Sequence, residues 1–165
     1  MPEWLSAIRF VAITDRRRMI DAETLASGDG ARIAAAFGAA IARIVGDDVL
    51  VQVREKDLDG GALLALVRAA LATGARVMVN DRLDVALAAG AHGVHLPERG
   101  LPILAARAIV RATRPALQDS FAIGVSRHAP IDAALAVRAS ADLVQLGPIW
   151  ETPGKGPALG TEVLR

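Results

Sequence analysis

Short apolar runs alternate along this chain with longer stretches whose apolar positions recur at helical spacing. The short runs are residues 10–13 (FVAI), 49–54 (VLVQVR), 77–79 (VMV), 93–97 (GVHLP), 121–125 (FAIGV) and 143–147 (LVQLG). Contiguous apolar residues without a polar face predict strands covered on both sides, as in a parallel sheet. Between the first two runs, Ile33, Ala36, Phe37, Ala40, Ile41 and Ile44 fall on one face of a helix over residues 31–45, ended by Gly46. Further helices are predicted over residues 60–72, 83–89, 101–113 and 131–140. Thr73-Gly74 and Gly90 stop two of them, and Pro130 stands at a helix start, where its missing N–H costs nothing. Residues 17–29 read as polar and irregular, with Ser27-Gly28-Asp29-Gly30 as a loop.

Regular alternation of strand and helix means a parallel sheet flanked by helices, either open and doubly wound or closed as a (β/α)8 TIM barrel. Polar residues decide between them. Each strand ends in reactive or phosphate-friendly side chains: Asp15, Arg54 with Lys56, Asn80 with Asp81, His95, Ser126 with His128, and Thr152 with Lys155. A barrel gathers such ends around one axis, whereas an open sheet spreads them along a crevice. The barrel is therefore favoured. At 165 residues and 17.2 kDa the chain suits a single α/β domain over residues 1–165. Only about six βα units are legible where a barrel needs eight, so the expectation is a barrel truncated at its C-terminal side. Two sheet edges would stand open, or a partner chain, such as a second copy in a homo-oligomer, would cover them.

Composition narrows the class further. Hydrophobic residues make up 53% but aromatics only 3%, which suits tight helix-on-sheet packing. A net charge of +1, from 19 basic and 18 acidic residues, provides no global field to recruit nucleic acid or an anionic membrane. Useful positive charge must be local. No cysteine is present, so disulfide and thiolate chemistry are excluded. The start MPEWLSAIRF lacks the basic and apolar regions of a leader, and no run approaches the ~20 apolar residues of a membrane span. A cytoplasmic protein is expected.

Four stretches can carry chemistry. Gln52, Arg54 and Lys56 share one face of a strand end by the period-two rule. An amide, a planar cationic fork and a point charge side by side suit a diphosphate, although charges at a strand end can also simply face water. Asp81, after Asn80, could hold Mg2+, a hard cation that usually bridges to substrate phosphates; alternatively, Asn80-Asp81 could be an Asx cap for the following helix. His128 follows Ser126 on a polar loop where an acid/base group could work near neutral pH, while His95 reads more as a structural residue. Residues 147–156 (GPIWETPGKG) form a Gly/Pro-punctuated loop with Thr152 and Lys155, without the spacing of a P-loop.

In this order, VQVREK, VNDRLDVALAAGAHGVHLPE, IGVSRH and LVQLGPIWETPGKGPALG resemble the strand-end motifs of the thiamine phosphate synthase and thiazole tautomerase family, a (β/α)8 group. The resemblance runs from Ile8 to the C-terminus. In the synthase branch it implies a transferase that couples hydroxymethylpyrimidine diphosphate to a thiazole phosphate and releases Mg-bound pyrophosphate. Gln52, Arg54 and Lys56 would then grip the diphosphate, Asn80 and Asp81 would serve the pyrimidine and Mg2+, and Ser126, Thr152 and Lys155 would hold departing pyrophosphate. Lys56, Ser126 and His128 are the residues the resemblance puts nearest catalysis.

The sequence also departs from the synthase pattern. Where the family usually has GQED after the HL of the fourth strand, this chain has Pro97-Glu98-Arg99-Gly100, so the second Mg2+ ligand is missing at Gly100. Glu98 could substitute, but Arg99 beside it opposes a cation. HLPE instead resembles the tautomerase branch, where the residue matched by His128 shuttles a proton on the thiazole. His92 stands where the family often has Asp, with no consequence expected. Three readings follow: a thiamine phosphate synthase, a thiazole tautomerase, or a non-catalytic barrel that only binds phosphate ligands.

Overall fold

The computed structural model describes residues 1–164. Six strands, β1 (Phe10–Ile13), β2 (Val49–Val53), β3 (Arg76–Asn80), β4 (Gly93–Leu96), β5 (Ala122–Arg127) and β6 (Leu143–Leu146), form one parallel sheet in sequential order. The connecting helices are α3 (Gly30–Ala42), α4 (Gly60–Leu71), α5 (Leu83–Ala89), α6 (Ile103–Thr113) and α7 (Pro130–Arg138). Two shorter helices, α1 (Arg16–Met19) and α2 (Ala22–Ala26), precede α3. They occupy the stretch expected to be irregular. Each is barely more than a turn, too short to show an apolar period, and each is set by a capping aspartate: Asp15 accepts from the Arg17 N–H and Asp21 from the Thr24 N–H. Asp29, expected in a loop, caps α3 in the same way, and Asp59 caps α4.

The period-two alternation of each strand sorts its side chains into two populations. Val51, Val53, Val77, Val79, Val94, Leu96, Ile123 and Val125 point to the helices and join Phe37, Ile41, Leu66 and Val67 in the main core. Burying an aliphatic or aromatic side chain of this kind stabilises by about 1.5–3 kcal/mol each. The alternate residues face the other side, and their character changes along the strands. Val11, Leu50, Met78, Ala122 and Leu143 make an apolar layer near the strand starts. Nearer the strand ends come Ile13, Gln52, Asn80, Ser126 and Gln145, which line a common cavity.

This inner face is concave. Gln145 on β6 hydrogen-bonds Gln52 on β2 at 3.0 Å across three intervening strands. A sheet curled part of the way into a barrel brings them together. Among the described residues β1 pairs only with β2 and β6 only with β5, and Phe10 and Ile13 on β1 remain 63% and 53% exposed.

The strand-start end is closed by a 3-10 turn, Glu3–Ala7, that places Leu5 in the inner apolar layer. Trp4 beside it donates from Nε1 to the Ser120 carbonyl at 3.1 Å and meets the His92 ring edge-on at 5.6 Å. His92, expected to be inconsequential, accepts the Val77 N–H at Nδ1, 3.1 Å away. It terminates the β3 ladder, a tertiary role that no local pattern announces.

Candidate active site

Local sequence explains how the upper inner layer is held. After β2 the alternation continues past the last strand residue: Gln52, Arg54 and Lys56 face the cavity, while Val53 and Glu55 turn toward the helices. Glu55 is buried and saturated. Its Oε1 accepts from Thr14 Oγ1 at 2.7 Å and from the Arg16 N–H at 3.0 Å, and its Oε2 pairs with the Arg16 guanidinium at 3.0 Å. Thr14 Oγ1 in turn accepts the Arg54 N–H at 3.0 Å. Arg16 also makes a two-pronged contact with Asp57, both arms at 2.7 Å, holding the Asp57 carboxyl well below the usual carboxylate range. The loop carrying Arg54 and Lys56 is thus pinned to the end of β1. Asp15, by contrast, caps α1 and does not line the cavity.

The cavity at the strand ends has a volume of about 370 Å³. It is lined by residues from all six strands or the loops just beyond them, including Arg54, Lys56, Asn80, Glu98, Ser126, His128, Gln145 and Lys155. Two smaller pockets adjoin it. One shares Lys56 and Asn80 and adds Asp81; the other shares Ser126, His128, Gln145 and Lys155 and adds Thr152. The expected site residues therefore gather at one end of the sheet, with Asp81 and Thr152 on opposite flanks of the centre.

Ion pairing engages some of the surface arginines but not all: Arg9, Arg43 and Arg68 have no carboxylate partner among the described residues. Arg16, Arg17, Arg32, Arg82 and Arg107 are each neutralised by a carboxylate. The side chains of Arg54, Lys56 and Lys155 make no ion pair or hydrogen bond among the described residues. Three unpaired cations face one cavity.

The Asx-cap reading of Asn80-Asp81 fails. Arg82 occupies the cap position of α5, with no side-chain cap hydrogen bond, and it instead pairs with Asp84. Asn80 Oδ1 accepts from Gln52 Nε2 at 3.1 Å. Asp81 sits at φ 66, in the left-handed region, with its N–H donated to the His95 carbonyl at 2.8 Å and its carboxylate free of hydrogen bonds. No group of three or more His, Asp or Glu side chains placed to hold a metal ion exists among the described residues. Asp81 therefore fits Mg2+ as a single protein ligand completed by phosphate oxygens and water, the composition usual for that ion. Glu98 lines the central cavity, but its Oε1 accepts the His128 N–H at 3.2 Å, and Arg99 does not line the cavity.

The two histidines differ in burial and in partners. His95 is buried, and burial together with the Arg127 charge lowers its pKa to about 4, so the ring is neutral near pH 7. Its Nε2 lies 2.9 Å from Ser126 Oγ. His128 is exposed and its Nδ1 contacts the Gly147 carbonyl. A carbonyl can only accept, so in the neutral ring Nδ1 carries the proton and Nε2 is left with a lone pair. Thr152 is exposed and donates to the Trp150 carbonyl at 2.9 Å, while its carbonyl accepts the Lys155 backbone N–H at 3.1 Å, closing a turn of the loop.

Gln145 was not singled out from the sequence. It joins Gln52 and Asn80 in a chain of three amides across the cavity. Its signal was a polar residue at an inward position of an otherwise apolar strand, LVQL.

A sequential parallel sheet curled around a strand-end cavity that three unpaired cations face defines an α/β protein of the barrel type. The family model for thiamine monophosphate synthase matches residues 25–165, and the chain belongs to that family. A thiamine-phosphate synthase of Gloeobacter violaceus is 44% identical over 110 residues, covering 64% of this chain and 30% of that protein. One of Methanoculleus marisnigri is 39% identical over 154 residues, covering 87% of this chain and 65% of that protein. This chain thus spans less than two thirds of the length of either. Among solved structures, thiamine phosphate pyrophosphorylase from Pyrococcus furiosus superposes with a TM-score of 0.64 at 26% identity, covering 96% of this chain and 68% of that one.

Proposed function

We propose that this chain acts as a transferase of the thiamine-phosphate synthase type, joining hydroxymethylpyrimidine diphosphate to a thiazole phosphate with release of pyrophosphate. The observation that carries the reading is the trio Arg54, Lys56 and Lys155, unpaired and facing one cavity. In this reaction the C–O bond to the diphosphate breaks with its electron pair on the leaving oxygen, and the thiazole nitrogen lone pair forms the new C–N bond. Charge grows on the diphosphate, so positioned cations stabilise the transition state more than a strong base would. Arg54 and Lys56 take the diphosphate from the β2 side, and Ser126, Thr152 and Lys155 hold it from the β5 and β6 side. Gln52 and Asn80 offer amide groups to the pyrimidine or its diphosphate. Asp81 would hold Mg2+, which supplies further neutralisation of the leaving group.

The test is direct. Incubation with both substrates and Mg2+ yields thiamine phosphate, detected by mass, and Lys56→Ala weakens inorganic pyrophosphate binding by about 10- to 100-fold, the loss expected for a charge-assisted contact. No product together with no pyrophosphate binding overturns the proposal. One observation favours a second reading, an isomerase acting on a thiazole phosphate: the lone pair of His128 Nε2 at the cavity. Under that reading His128→Ala stops turnover and metal is dispensable; under the first, chelating the metal stops it.

A further inference from the structure

His95 and Ser126 look like a base and its nucleophile, since an imidazole nitrogen lies 2.9 Å from a hydroxyl oxygen that lines the cavity. The surroundings of the other nitrogen say otherwise. His95 pairs with Gly124 across the β4–β5 ladder, and Ser126 lies two residues further along the same face of β5. Gly124 lets the ring come close to the β5 backbone. A Cβ there would come within 2.8 Å of His95 Nδ1 and 3.1 Å of the Met78 methyl. Nδ1 is therefore enclosed by a glycine backbone and a thioether side chain, and it is the one buried side-chain polar atom without a hydrogen-bond partner among the described residues.

A neutral imidazole carries one proton, which must be on Nδ1 or Nε2. On Nδ1 it would be a buried N–H with nothing to accept it, the rarest kind of unsatisfied group in folded proteins. On Nε2 it is satisfied by Ser126 Oγ, and Nδ1 keeps only a lone pair. With Nε2–H donating, Ser126 Oγ is an acceptor from His95, and its own O–H is left to point elsewhere. The remaining direction is the cavity.

We infer that His95 is a positioning residue that fixes Ser126 as a hydrogen-bond donor toward an anionic oxygen in the cavity, and that it does not serve as a base activating the serine. Holding Nε2–H, His95 has no lone pair to take the serine proton. The cavity thereby presents a neutral, preoriented O–H alongside the cations of Arg54, Lys56 and Lys155, the combination that fits a phosphate oxygen and disfavours a donor group at that point. This inference rests on the proposed phosphate-binding role, and its test separates the two.

Nitrogen-15 spectra of the ring in the unliganded wild-type chain read the tautomer without any ligand. The expected signature is a protonated Nε2 and a bare Nδ1 from pH 6 to pH 8. A protonated Nδ1 overturns the inference whatever the protein binds. Calorimetry with inorganic pyrophosphate and Mg2+ supplies the second arm. Ser126→Ala and His95→Leu each weaken binding about tenfold, equivalent to losing one hydrogen bond to a charged group. His95→Gln, whose amide N–H reaches a similar place, restores most of the affinity. Wild-type affinity in His95→Leu overturns the inference, as does failure of a folded His95→Gln to bind better than Leu. If His95→Leu does not fold, the tautomer and the Ser126→Ala measurement still decide. Absence of pyrophosphate binding by the wild type rejects the phosphate role itself while leaving the tautomer result to stand or fall alone.

Discussion

Gln145 on β6 donates from Nε2 to Oε1 of Gln52 on β2, 3.0 Å away, with β3, β4 and β5 lying between them. In a flat sheet four strand spacings of about 4.8 Å would separate the two strands by roughly 19 Å. This one contact therefore reports the curl that turns six strand ends toward a shared cavity. A double-mutant cycle measures it. Gln52→Ala and Gln145→Ala, compared with the double variant by urea unfolding, couple by about 0.5–1 kcal/mol, because both amides lose the same hydrogen bond. Additive effects would mean that the two strands do not meet and the sheet is flat.

The buried carboxylate of Glu55 and the exposed one of Asp57 share Arg16, so they provide an internal comparison. The Glu55 side chain is 3% exposed and that of Asp57 42%. Removing Glu55 strands the Thr14 hydroxyl and part of the Arg16 guanidinium away from water. Glu55→Ala therefore lowers stability by about 2–4 kcal/mol, whereas Asp57→Ala costs about 0–1 kcal/mol because solvent screens that pair. Chemical unfolding of both variants gives the ratio; equal losses would show that the network is not buried.

Strand-by-strand organisation was legible because each strand announces itself twice, by a contiguous apolar run and by a change to polar residues at its end. The inward set Gln52, Arg54 and Lys56 followed from period two alone, and the structure places all three at the cavity. What escaped was whatever depends on a partner distant in sequence. Asp15 looked like any other polar strand end, and only the backbone geometry shows that it caps α1. Asn80-Asp81 taken alone read more readily as a cap than as a metal site, because an Asx before a helix is ambiguous until the left-handed φ of Asp81 is known. Gln145 and Glu55 gain their meaning from residues about 90 and 40 positions away, beyond any local window.

His95 gives the fold a defined response to acid. An unfolded imidazole takes up its proton near pH 6.5, but the buried ring, facing the Arg127 charge, does so only near pH 4. Between those values the unfolded chain binds more protons than the folded one, so stability is complete above about pH 6.5 and falls as pH drops toward 4. The loss attributable to His95 is at most about 3 kcal/mol. His92 acts with the same sign, its pKa lowered by burial and by Arg76, and protonating its Nδ1 would break the Val77 contact. Unfolding free energies of the wild type and His95→Gln, compared at pH 7.5, 5.5 and 4.5, should converge as the pH falls. A constant difference would mean that His95 titrates normally in the folded state.

Asp81 occupies a conformation that glycine adopts at no steric cost and that aspartate tolerates only with strain, at φ 66. Its carboxylate takes part in no hydrogen bond that would repay that strain, which agrees with the metal-binding role proposed for it. Stability and function then move in opposite directions at this position. Asp81→Gly leaves unfolding free energy unchanged or raises it by up to about 1 kcal/mol, and Asp81→Ala lowers it by about 1 kcal/mol because a Cβ is still forced into the left-handed region. Both variants lose the Mg2+-dependent part of pyrophosphate affinity, at least about tenfold, since the carboxylate proposed to hold the metal is gone in each. Titrating pyrophosphate with and without Mg2+ against all three chains gives the answer. If Asp81→Gly keeps the wild-type metal enhancement, the ion is held elsewhere, and the strained backbone at this strand end needs a different explanation.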